Sequence, residues 1–264
     1  MGWLTRQAGL SIDNLVAAEV VVADGSILRA AADESPDLFW AIRGGGGNFG
    51  VVTELEFRLH EVGPVVQFGL LFWDAARGGE ALRLIRDVIA DLPRSLNAET
   101  AAITAPPEPF VPPEHQHKPG YALLLVGFGD EAEHRQVLDR LRNGLPPLFE
   151  SVSPMPYVVL QQMLDEANAW GFYGYQKGAY FEDLSDDMID ILTQHVAKKT
   201  SPLSVVLFNR LDQAYSEIGE DDTAFRGGRS ARYMAYFVGL CPTADLLPAE
   251  RAWVRSTWNA LKPT

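Results

Sequence analysis

Arg43-Gly44-Gly45-Gly46-Gly47-Asn48-Phe49-Gly50-Val51-Val52-Thr53 is the stretch that decides the fold. Consecutive glycines give a backbone without Cβ atoms, able to reach positive φ and to admit a large ligand closely. Asn48 and Phe49 add one amide and one ring. An alternating strand follows, with Val51, Thr53, Leu55, Phe57 and Leu59 on one face and Val52, Glu54, Glu56 and Arg58 on the other. The loop is not a P-loop, because Gly-Lys-Ser/Thr is missing. It is not a dinucleotide fingerprint either, since a strand follows where a helix should open.

The residues around the loop specify its frame. Ser35 reads as a helix cap, Pro36 suits the first helical position and Asp37 complements the positive helix end. Leu38, Phe39, Trp40 and Ile42 supply apolar bulk, and Gly44 ends the helix in a left-handed conformation. Upstream, Leu15 to Ala23 reads as a strand, Asp24-Gly25 as a tight turn and Ser26 to Ala32 as the return strand. The predicted order is hairpin, short helix, glycine loop, strand.

Beyond a boundary near Val62-Gly63-Pro64, strands and helices alternate. Strands are predicted at Val65–Trp73, Tyr121–Phe128, Trp170–Phe181, Leu203–Leu211 and Ala231–Leu240. Helices are predicted at Gly79–Leu92, Glu131–Leu141, Tyr157–Leu164, Asp187–Val196 and Ala249–Leu261. Ala105 to Pro119 reads as a proline-rich loop. Its His115 and His117 lack a third ligand and read as solvated, so no metal is assigned.

The 264 residues suit one large or two modest domains, and 47% apolar content supports a sizeable core. The excess of 35 acidic over 22 basic residues, a net charge of −13, argues against a nucleic-acid partner. One cysteine forms no internal disulfide, which fits a reducing, cytoplasmic compartment. No stretch is long and apolar enough to span a membrane.

Gly2-Trp3-Leu4-Thr5-Arg6, Gly9-Leu10, Asp13-Asn14-Leu15, Ala23-Asp24-Gly25, Asp37-Leu38-Phe39-Trp40-Ala41 and Arg43 to Thr53 together resemble one family. It comprises the flavin-dependent oxidases and dehydrogenases with a PCMH-type FAD-binding domain, related to berberine bridge enzyme, 6-hydroxynicotine oxidase and the oligosaccharide oxidases. Weaker resemblance continues through Gln176 to Tyr180 and Thr223-Ala224-Phe225. The resemblance implies an α+β fold. Residues 1–62 would form the second subdomain of the FAD-binding domain, and residues 63–264 a substrate domain with an antiparallel sheet flanked by helices. It implies FAD as cofactor, held largely through backbone groups at Gly45, Gly46, Gly47, Asn48, Phe49, Gly50, Val51 and Val52, with Gly2 and Asn14 contributing. It also implies hydride transfer from a C–OH or C–N centre of a small molecule to the flavin.

Such chemistry needs a group to take the substrate proton. By position, Asn209 stands where the plant alkaloid enzymes of the family hold a catalytic glutamate, and an amide is no general base. The candidates are Tyr175, Lys177 and Tyr180 on the aromatic strand, and Asp212. Alternation puts Tyr173, Tyr175 and Lys177 on one side of that strand and Gly174, Gln176 and Gly178 on the other.

Family members also carry a preceding subdomain, with the pyrophosphate loop and a histidine that often bonds FAD. They close with an Asn-Tyr segment. Here no histidine precedes His60, and the only cysteine is Cys241. The expectation is the middle of an oxidase, completed by an N-terminal FAD-binding half on the same or another chain. The alternative expectation is a non-catalytic fragment, or half of a split flavoenzyme, that binds a partner chain.

Overall fold

A computed structural model describes residues 2–166 and 170–262. The chain divides into two compact units: Met1–Glu61 with Leu211–Ala231, and Val62–Arg210 with Arg232–Thr264.

In the first unit, α1 (Thr5–Ala8) precedes the hairpin β1 (Leu15–Val21) and β2 (Ile27–Ala31), followed by α2 (Pro36–Ile42) and β3 (Val51–Phe57). The three strands form an antiparallel sheet in the order β2-β1-β3. Leu15, Ala18, Val20 and Ala30 of the hairpin pack with Phe39 of α2 into a small core. Pro36 opens α2 as expected, but Ser35 does not cap it. Its backbone is left-handed (φ 49°) and its side chain accepts no capping bond. Gly44 follows the helix at φ 116°, the left-handed exit that glycine allows. β3 is exposed at all seven positions.

Leu211–Ala231 joins this unit by polar bonds. Arg229 makes a bidentate pair with Asp13, with side chains only 2% and 4% exposed. Trp40 Nε1 donates to the Asp221 carbonyl, and Arg43 Nη2 to that of Asp222, each at 2.8 Å.

The second unit is one antiparallel sheet of seven strands with helices behind it. In chain order its elements are β4 (Val65–Asp74), α3 (Gly78–Ile89), β5 (Leu96–Thr104), β6 (Pro119–Gly127), α4 (Glu131–Gly144), β7 (Phe149–Pro156) and α5 (Tyr157–Gln162). Then come β8 (Tyr173–Phe181), α6 (Asp186–Val196), β9 (Val205–Arg210), β10 (Tyr233–Cys241) and α7 (Leu247–Leu261). The strand order is β7-β4-β6-β5-β9-β10-β8. β5 and β7 are strands that the sequence pattern did not reveal. Alternation brings Leu71, Trp73, Leu123, Leu125, Ala98, Val206 and Phe237 to one face. There they meet Leu82 and Ile85 of α3, Val137 and Leu141 of α4, Ile189 and Leu192 of α6, and Trp253 and Val254 of α7. Asp130 and Ser185 cap α4 and α6, each accepting a backbone N–H from the first turn. Among the described residues, no helix is long and apolar enough to cross a membrane.

Candidate functional site

The glycines of the loop are glycine for different reasons. At Gly44 a Cβ would lie 2.6 Å from the Phe225 backbone, and at Gly45 it would lie 2.4 Å from the Ala41 carbonyl. Gly50, at φ 152°, would meet the Val21 carbonyl at 2.5 Å. Packing within the first unit therefore demands all three. Gly46 needs its φ of 90°, yet a Cβ there would meet nothing within 4 Å. Gly47 has neither a positive φ nor a neighbour within 4 Å. No internal contact explains glycine at position 47.

Among the described residues, the backbone N–H groups of Gly46, Gly47, Asn48 and Phe49 have no hydrogen-bond partner. A run of free N–H groups in a loop without side-chain bulk suits an anionic or carbonyl-rich ligand. Phe49, Val51 and Val52 beside it are exposed. These features fit a cofactor carrying phosphates and a polar ring system.

Two other residues expected at the cofactor have internal duties. Asn14 donates through Nδ2 to the Ala8 and Leu10 carbonyls at 2.7 and 2.9 Å, while its Oδ1 meets His60. Gly2 N donates to Thr5 Oγ1, which returns a bond to the Gly2 carbonyl. A Cβ on Gly2 would meet nothing within 4 Å. Asp212 pairs with the buried Arg6.

In the second unit, pairing registers sort the remaining candidates by face. Ala179 and Phe181 of β8 join the helix-side core. Tyr175 and Lys177 share that face. Tyr175 packs against the core with the Arg251 guanidinium 5.2 Å from its ring, and Lys177 Nζ lies 3.9 Å over the Trp258 ring of α7. Tyr180 falls on the opposite face, paired with Met234 of β10. Met234 in turn pairs with Asn209, and Asn209 with Glu99 of β5. Tyr236, two residues along β10, shares this face.

Glu99 is the residue that sequence reasoning missed. Burial pushes its carboxyl up to about 7, and a hydrogen bond from the Asn209 side chain opposes that rise. Burial also raises the Tyr236 hydroxyl, and the Glu99 charge adds to it. The available signal was a glutamate inside an otherwise small and apolar run, Leu96-Asn97-Ala98-Glu99-Thr100-Ala101-Ala102. His115, in the proline-rich loop, stacks its ring at 6.4 Å from that of Phe149.

Both units mix helices with antiparallel sheet, so the chain is an α+β protein. No family model matches the chain. An FAD-linked oxidoreductase of Dictyostelium discoideum is 28% identical over 266 residues, covering 100% of this chain and 56% of the relative. The (R)-6-hydroxynicotine oxidase of Paenarthrobacter nicotinovorans is 27% identical over 217 residues, 82% of this chain and 43% of the relative. Among solved structures, a berberine bridge enzyme-like protein of Physcomitrella patens superposes with a TM-score of 0.81 at 18% identity, covering 98% of this chain and 57% of that one. The chain is thus similar in sequence to FAD-linked oxidoreductases, 6-hydroxynicotine oxidase among them, and shares its fold with the berberine bridge enzyme-like proteins. It spans about half the length of the curated relatives it matches.

Proposed function

We propose that the chain forms part of an FAD-dependent oxidoreductase that oxidises a C–OH or C–N centre of a small molecule. The carrying observation is Gly47, a glycine that nothing inside the protein requires, set among four unpartnered N–H groups. Gly45 to Val52 would hold the cofactor, chiefly through backbone donors, with Gly2 leaving room beside its own turn. Bound FAD would accept the hydride. The face of the second unit's sheet that carries Tyr180 and Asn209 would bind substrate, with Tyr180 as a contact. In this reading Tyr175 and Lys177 brace α7, Asp212 anchors Arg6 and Asn14 clamps the start of β1. We place the protein in the cytoplasm on its single cysteine, Cys241, which is buried.

The test is the visible spectrum of the purified chain after incubation with FAD and gel filtration. A retained flavin spectrum near one-to-one is expected. A colourless protein would overturn the reading that these residues hold FAD without a further chain.

A second reading, a non-catalytic fragment or half of a split flavoenzyme that binds a partner chain, draws on β3. Val51 and Leu55 are 68% and 52% exposed, and Phe57 and Leu59 extend the apolar strip. Sedimentation of the chain alone and with candidate partners separates the two readings.

A further inference from the structure

We propose that Glu99 takes the substrate proton on the sheet face it shares with Asn209, with the Asn209 amide holding its carboxylate in place. The proposal rests on the oxidoreductase reading above. Its starting point is the pairing of β5 with β9, which sets Glu99 directly beside Asn209. Side chains so placed stand about 5 Å apart at their Cβ atoms, within reach of one hydrogen bond. An amide cannot accept the proton, but it can donate to a carboxylate that does.

The surroundings suit this role. Glu99 is only partly exposed, and among the described residues no ion pair engages it. A carboxylate kept from water holds its proton more tightly than usual, so it exchanges that proton near neutral pH. The groups facing it are Leu124 from β6, Asn209 from β9, and Met234 and Tyr236 from β10, with Tyr180 of β8 one strand further on. The two tyrosines are the titratable members of that set. Arg210 adjoins Asn209 in sequence and so points to the other face, where its guanidinium lies 5.0 Å from the Tyr233 ring.

The step balances simply for an alcohol. The substrate O–H bond breaks and its proton forms an O–H bond on Glu99. The freed electron pair closes the C=O bond. The C–H bond breaks, and its hydrogen leaves with two electrons to oxidised FAD as co-reactant. The carbon is oxidised and the flavin reduced, and Glu99 later returns its proton to solvent.

Two measurements test this. The first follows the ¹³C signal of the Glu99 side-chain carboxyl with pH, in the wild type and in Asn209→Leu. A midpoint near neutrality is expected, displaced upward when the amide that favours the ionised form is removed. A midpoint in the ordinary glutamate range, unmoved by Asn209→Leu, would overturn the proposal. The second records anaerobic bleaching of the FAD-loaded protein by 6-hydroxynicotine and by short oligosaccharides. The faster probe is then used with Glu99→Gln, which keeps a hydrogen-bonding side chain of the same size. The wild-type rate should rise with pH through the same midpoint. Glu99→Gln should lose about 100-fold or more and the pH dependence with it, while retaining FAD. Equal bleaching in wild type and Glu99→Gln would overturn the proposal alone. A flavin that no probe bleaches would overturn the oxidoreductase reading and the proposal with it.

Discussion

Glycine loops are easy to over-read, because a turn and a binding site use the same residue. Gly44, Gly45 and Gly50 are explained by the chain itself, and substitution there should damage the fold. Gly44→Ala would force a side chain into φ 116° against the Phe225 backbone, and destabilisation of about 2 kcal/mol or more is expected in urea denaturation. Gly47→Val makes the opposite prediction. Open space surrounds position 47, so the thermal midpoint should stay within about 2 °C while FAD affinity falls about tenfold or more. Equal affinity in Gly47→Val would remove the chief support for a cofactor at this loop. The loop was legible in the sequence because its signal is local. Glu99 was not, because its meaning comes from Asn209, which lies far along the chain and meets it only through strand pairing.

The same contrast holds for elements. The hairpin, α2, β3 and α3 follow directly from turn residues and periodicity. β7 escaped because Pro154 and Pro156 interrupt its pattern, a composition tolerated at the sheet edge where it lies. β5 escaped because its small residues lack the β-branched and aromatic signature, and its central place in the sheet is decided by neighbours. Leu211–Ala231 carries no periodic signal either, and polar bonds fix its place in the first unit. Arg229 is the principal anchor: besides pairing with Asp13, it donates to the Tyr215 carbonyl at 3.2 Å and lies 5.1 Å from the Tyr215 and Phe225 rings. Arg229→Leu would leave the Asp13 carboxylate buried without its partner, and a loss of about 3–5 kcal/mol in the first unit is expected. Arg77→Ala, which removes an exposed and solvent-screened pair with Glu80, should leave the urea midpoint nearly unchanged. Urea denaturation of the two variants side by side checks the contrast.

At the scale of the molecule, the strand order of the large sheet was beyond sequence reasoning, since every pairing in it is non-local. That order nevertheless sets how stability responds to pH. In the second unit burial disfavours the charged forms of Glu99, raised to about 7, and of Lys199, lowered to about 8 although the Glu250 charge opposes the shift. Lys199 is held by Thr104 Oγ1 and the Ser204 carbonyl, so its replacement would orphan both acceptors. Glu99 offers the cleaner experiment. Its folded carboxyl is raised above the unfolded value, so the neutral form is favoured on folding. Its contribution is therefore full below about pH 4.5 and is lost as pH rises through about 7. Glu99→Gln stays neutral throughout and escapes that loss. In urea denaturation the variant should match the wild type at pH 4. It should exceed the wild type by about 1–3 kcal/mol at pH 8.5, the range allowing for screening of a group that still meets solvent. Lys199 is present in both proteins and cancels from the difference. A constant gap across this range would mean that the Glu99 carboxyl titrates alike in the folded and unfolded chain, and that desolvation at the strand pair is not what sets its proton affinity.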